Sequence, residues 1–309
     1  MTETVLRIDA DDVRHILETL DPVAVLAEEL IKGTINRRDS GPALRLGPWT
    51  GGDGDHLRVD TSSDGLSCVM PAAALRMAHA AALCALATRE LLPPGGITVA
   101  MLGTRQAIQA QLAVIARHVP DIVHVAVCVT DENETGALDP RLVDELDLTG
   151  IGLSVVTAPR DSLFGANLVV VVSEEALTDG AEQAGVNHLA RGTVLVNASG
   201  HDLPTALVDH ADQIFVDDLA LLAAHPDRYV VARHLRHLSS GTAWTRDHGH
   251  PPAISADLGR LLAGTHPGRE QHADTLVVEL LSVSTPDARL AQTIAETAVR
   301  LRLGVQVTT

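Results

Sequence analysis

The stretch ITVAMLGTRQAIQAQL, residues 97–112, decides the fold. Ile97–Leu102 is an apolar run of strand length, Gly103 interrupts it, and Ala107–His118 carries apolar residues at helical spacing. A strand that turns through glycine into a helix is the opening unit of a parallel α/β sheet. Such a turn holds a dinucleotide when it reads G-x-G-x-x-G, because its backbone N–H groups meet the pyrophosphate and the glycines let the two backbones approach. Here only Gly103 is in place, with Arg105 at the second glycine position and Ile108 at the third. A side chain at 105 fills space that a pyrophosphate takes, and Ile108 is expected to push the helix off the sheet. Two readings follow: a rewired site in which Arg105 itself binds an anion, or a turn that has lost dinucleotide binding. A dinucleotide held here would meet Gly103, Thr104 and Arg105, and Asp131, after the second strand, would accept from a ribose hydroxyl and favour NAD over NADP.

The same rhythm continues downstream. Strands are predicted at Val123–Val129, Gly152–Thr157, Leu168–Ser173, Val194–Ala198 and Gln213–Val216, with a helix at Pro140–Leu146. The strands are apolar runs rather than strict alternations, as strands covered on both faces are, so the sheet is parallel. The pattern weakens from Tyr229 through Ser240. Ile254–Leu262 reads as a helix closed by Gly264, Thr275–Leu281 as a strand, and Pro286–Leu303 as a final helix ended by Gly304. Upstream, residues 11–32 read as helices, with Asp21-Pro22 starting the second. A short strand is expected at Ala43–Leu46, two more at Leu57–Thr61 and Leu66–Met70, and a long buried helix from Ala72 to Leu92. Pro93-Pro94-Gly95-Gly96 marks a boundary. The fold class is α/β: a Rossmann-type doubly wound parallel sheet beside a smaller α+β domain.

The composition narrows the function classes. A chain of 309 residues has room for two domains. Aromatic residues are only 2%, so Ala, Val and Leu must fill the core. The net charge of −17 repels phosphate backbones, which argues against a nucleic-acid partner. No apolar run reaches membrane-spanning length, and the N-terminus lacks the basic-then-apolar pattern of a signal peptide, so a cytoplasmic protein with no membrane partner is expected. Cys68, Cys84 and Cys128 have no C-x-x-C spacing and read as apolar fillers. Lys32 is the only lysine. His248 and His250 form an H-x-H in a loop, which is more often solvated than metal-bound, so no metal is expected.

Several stretches together resemble the ornithine cyclodeaminase and mu-crystallin family: Leu102-Gly103 through Gln111-Leu112, Val194–Gly200, Ala211–Asp218, Leu261–Arg269 with the strand after it, and the helix around Leu75-Arg76-Met77-Ala78. The resemblance covers most of the chain. It implies a substrate-binding and dimerisation domain made of residues 1–95 and 286–309, with a Rossmann-type domain, 96–285, inserted between them. It also implies a homodimer, NAD as cofactor, and a small amino- or imino-acid ligand. Arg45 and Arg76 stand where the family's two carboxylate-gripping arginines are expected, and Asp202 matches its catalytic aspartate. The family lysine has no counterpart, and the segment between Arg45 and Arg76 is short. The resulting expectation is a diverged enzyme performing imine, deamination or cyclisation chemistry, of ammonia-lyase or oxidoreductase type, with NAD in doubt because of the loop. Two alternatives stand beside it: a non-catalytic relative that binds a ligand or a protein, and an NAD(H)-dependent imine or ketimine reductase.

Overall fold

The computed structural model describes residues 4–35, 45–49, 55–60, 67–129, 138–173, 189–240, 253–284 and 287–308. The chain opens with β1 (Thr4–Arg7), α1 (Ala10–Thr19), α2 (Pro22–Ile35), β2 (Arg45–Pro48), β3 (His56–Asp60), β4 (Ser67–Pro71) and α3 (Ala72–Leu91). It continues through β5 (Ile97–Gly103), α4 (Arg105–His118), β6 (Ile122–Val129), α5 (Pro140–Leu148), β7 (Gly152–Val156), α6 (Pro159–Leu163), β8 (Leu168–Val171) and β9 (Val194–Asn197). The last part holds α7 (Thr205–Asp209), β10 (Gln213–Val216), α8 (Tyr229–Ser240), β11 (Ile254–Asp257), α9 (Leu258–Leu262), β12 (Leu276–Glu279), α10 (Ala288–Leu301) and β13 (Val305–Thr308).

The α/β expectation holds. Eight strands form one sheet in the order β11-β10-β12-β9-β8-β5-β6-β7, and every neighbouring pair is parallel. The central strands β8, β9, β10 and β12 are buried at every residue, as strands covered on both faces must be. The order reverses between β5 and β8, so the crevice outside their carboxyl ends is the place where open α/β sheets bind ligands. The smaller, five-stranded sheet runs β13-β1-β4-β3-β2 and is mixed, with β1 parallel to β4 and the other pairs antiparallel.

Helix α3 joins the two sheets. Its run of alanines is buried on nearly every side, and it packs against α1, α2, α4, β9 and the 3-10 turn Leu281–Ser284. A helix apolar all round has no face to give to water, and alanine lets its neighbours approach closely at full helix propensity.

Three stretches differ from the sequence reading. Ile254–Leu262 is two elements: Ile254, Ala256 and Asp257 pair with β10, and Asp257 then caps α9 by accepting from the Arg260 N–H at 2.8 Å. A short apolar run fits a buried strand as well as a helix, and pairing decides between them. Tyr229–Ser240 is a helix although its pattern looks weak, because only its first turn, at Val230 and Val231, is buried. Strands β1 and β13 are four residues each, too short to show a period, and they pair with one another from Thr4↔Thr308 to Arg7↔Val305. Gly304 allows this closure. It adopts φ +82°, and a Cβ there would stand 2.7 Å from the Arg7 carbonyl oxygen.

Candidate functional site

Polar side chains stand at the carboxyl ends of strands in the large sheet. Asn197 ends β9, Glu279 ends β12 and Asp217 follows β10. Glu279 lies in register with Asn197 on one side and with Val216 on the other. It is 1% exposed. Nδ2 of Asn197 donates to its two oxygens at 2.9 and 3.1 Å, and Nη2 of Arg228 donates to Oε1. Burial pushes the Glu279 carboxyl up to about 8; Arg228 and the Asn197 bond pull it down, while Asp202 and Asp217 add to the rise. The Asp217 carboxylate is spent on structure, accepting from the N–H groups of Leu281 and Ser282 at 2.9 and 2.8 Å and from the Ser282 hydroxyl.

Asp202 sits in the loop after β9. Its Oδ1 accepts from Nε of Arg228 at 3.0 Å and from the Tyr229 N–H, at the start of α8, at 2.9 Å. Its Oδ2 has no partner among the described residues, and the side chain is 45% exposed. Arg228 also donates to the carbonyls of Gly200 and His201 at 2.7 and 2.6 Å, so one guanidinium gathers the whole loop. One oxygen held and one open is the geometry of a carboxylate able to accept or give a proton at a fixed place.

The sequence also named Arg76 and Arg45. Arg76, on α3, donates from Nη2 to Oδ2 of Asp55 at 2.7 Å. Arg45, on β2, lies opposite Asp60 of β3 in the backbone register. Its strand neighbour Arg58, which the sequence reading passed over, donates to Asp60 at 2.6 Å and to the Ser67 hydroxyl at 2.8 Å. Asn197, Arg228 and Glu279 were missed as well. The strand endings V-L-V-N, I-F-V-D and L-V-V-E, each an apolar run closed by an acid or amide, carry a signal that could have found two of them.

At the loop after β5, Gly103 has φ +150°, and a Cβ there would stand 2.5 Å from Cγ2 of Val172 and 2.9 Å from Oγ of Ser173. Only glycine fits this approach of the two strand exits. Thr104 is the N-cap of α4 but makes no side-chain cap bond, so no side chain from the cap competes for the first-turn N–H groups. Gly103 and this helix start therefore fit a phosphate. The other two fingerprint positions do not supply glycine: Arg105 opens the helix, and Ile108 is fully buried in the core. Asp131, His248 and His250 lie outside the described residues.

Elsewhere, Lys32 pairs with Glu28 and Glu29 on the exposed face of α2. The three cysteines are buried and free; burial pushes Cys68 and Cys84 up to about 12. Among the described residues no group of His, Cys, Asp or Glu is arranged to hold a metal, and no helix is long and apolar enough to cross a membrane.

The family model described as ornithine cyclodeaminase/mu-crystallin matches residues 57–301. The chain belongs to that family. Several solved structures are similar in fold to this chain over nearly its full length. The structure of CmnK is 19% identical, with TM-score 0.72 over 99% of this chain and 98% of its own. The Δ1-pyrroline-2-carboxylate reductase of Thermococcus litoralis, solved with NADH and L-proline, is 14% identical, with TM-score 0.67 over 98% and 100%. A lysine cyclodeaminase, described for its recognition of L-lysine, L-ornithine and L-2,4-diaminobutyric acid, is 15% identical, with TM-score 0.65 over 99% and 95%. Identities this low speak for the fold alone. No curated protein matches the sequence.

Proposed function

We propose that this family member acts on a small amino or imino acid through imine, deamination or cyclisation chemistry, with Asp202 as acid/base and Arg45 and Arg76 gripping the ligand carboxylate. The observation that carries the reading is the Asp202 carboxylate at the sheet's carboxyl edge, with Oδ1 held by Arg228 and Tyr229 and Oδ2 open. Arg76 then exchanges its partly exposed partner Asp55 for a ligand carboxylate, which an arginine fork binds with two parallel bonds. A protein acting in this way uses the edge as a proton-transfer station rather than as a metal or nucleophile site.

NAD would meet Gly103, Thr104 and Arg105; when bound, it supplies a hydride acceptor or donor. In our reading the cradle is weakened, because Arg105 and Ile108 replace two glycines; separately, the family's proton-transfer lysine has no counterpart. The alternative is an NAD(H)-dependent imine reductase, and the glycine at 103 with the uncapped start of α4 is what favours it. An NADH fluorescence titration separates the two. Saturation at micromolar levels supports the reductase, and no binding at millimolar levels removes it. Melting shifts across amino and keto acids test the ligand class; no shift with any of them favours a non-catalytic, protein-binding relative.

A further inference from the structure

Four donations from one side chain build the loop that carries Asp202. Arg228 is 14% exposed and uses Nε on Asp202, Nη1 on the Gly200 carbonyl, and Nη2 on both the His201 carbonyl and Glu279. Asn197 reinforces the same loop, its Nδ2 donating to the His201 carbonyl at 2.7 Å as well as to Glu279. Two carboxyl groups, one buried and one half-exposed, therefore share a single cation.

We propose that Arg228 is the positioning residue of Asp202 and that Glu279 is its buried counter-acid, so that the charge on Glu279 is felt at Asp202 through the guanidinium they share. The functional sense of this rests on Asp202 being the acid/base of the site. The charged and titratable groups facing Glu279 are Arg228 ahead of α8, Asp202 after β9 and Asp217 after β10; Asn197 on β9 completes its surroundings as a neutral donor. When Glu279 is neutral, Asp202 is the one carboxylate of the two whose charge Arg228 balances. When Glu279 is ionised, the cation is divided and the two carboxylates repel one another. The rise of the Glu279 carboxyl to about 8 puts that change in the neutral-to-alkaline range.

The test follows both carboxyl carbons by NMR in the full chain labelled with carbon-13 at Asp Cγ and Glu Cδ, titrated from pH 5 to 10. Asp202→Asn and Glu279→Gln assign the two signals. The expected result is an inflection in the Asp202 signal that coincides with Glu279's own midpoint and vanishes in Glu279→Gln. If Glu279 does not titrate in this range, or titrates with no matching inflection at Asp202, the proposal is overturned. Should Glu279→Gln fail to fold, the wild-type coincidence decides alone. Arg228→Lys keeps the charge but loses the fork; amide hydrogen exchange at residues 199–202 is expected to quicken about tenfold, and unchanged exchange overturns the positioning role. Turnover enters neither measurement. An active Asp202→Asn enzyme would remove the acid/base reading and leave the coupling to be judged on its own signals.

Discussion

Asn197 and Glu279 stand opposite one another on adjacent parallel strands, and the single Nδ2 of the amide reaches both carboxylate oxygens. The pair comes from positions 82 residues apart in the chain. It closes the carboxyl edge beneath Asp202 and puts a raised carboxyl group inside the fold.

That group makes stability depend on pH in a definite direction. Glu279 is raised in the folded chain from 4.5 to about 8, so the folded state keeps a proton that the unfolded state has released. Stability is greatest below the lower value, falls as pH rises through the window between the two, and levels off above it, with a slope of up to about 1 kcal/mol per pH unit. Glu279→Gln cannot titrate and is expected to flatten this part of the curve. Denaturant unfolding of both proteins at pH 5, 7 and 9 gives the comparison; parallel curves would contradict it.

Asp202→Asn leaves an oxygen to accept from Arg228 and from the Tyr229 N–H, so the loop keeps its bonds. Melting temperature is expected to change little, while turnover of the amino- or imino-acid substrate falls by about 10²–10⁴. Steady-state kinetics on whichever ligand gives a melting shift checks this, and full activity in the variant sinks the acid/base role.

Ile108 fills the position of a fingerprint glycine and is wholly buried. Ile108→Gly removes that packing and places glycine inside a helix, so a loss of about 3–5 kcal/mol is expected. Arg105→Gly removes a half-buried side chain rather than a core one and is expected to cost about 1–2 kcal/mol. If Arg105 is what obstructs a pyrophosphate, that variant binds NADH more tightly than wild type in the fluorescence titration.

Arg269, in the P-G-R stretch, ties the end of α3 to the large sheet. Its Nε donates to the Leu91 carbonyl at 2.8 Å and Nη2 to the Gly192 carbonyl at 2.9 Å, with a further bond from Nη1 to Asp274. Arg269→Ala strips several half-buried carbonyls of a charged donor at once, and a loss of about 2–4 kcal/mol is expected in denaturant unfolding. Within ±0.5 kcal/mol of wild type, the clasp is not a stabilising one.

Local chemistry made much of the fold legible. Ile97–Leu102, Val123–Val129 and Val194–Ala198 are apolar runs of strand length closed by turn residues, the pattern of strands buried on both faces of a parallel sheet. The Ala-rich stretch from Ala72 is helical by propensity alone. Asp202 stood out through its place after a strand. Strands β1 and β13 were not legible, because four residues carry no period, and neither was α8, which is buried only over its first turn.

The sequence by itself determined most of the strands and helices of the large sheet, that this sheet is parallel, and that the β5 turn keeps one glycine of three. Only the tertiary structure decided who stands beside whom. β12, last of the large sheet's strands in the chain, inserts between β9 and β10, and this lays Glu279 against Asn197 and under Arg228. The physical reason is that strand order follows burial and the handedness of the crossovers, which are properties of the assembled layers and not of any stretch of sequence.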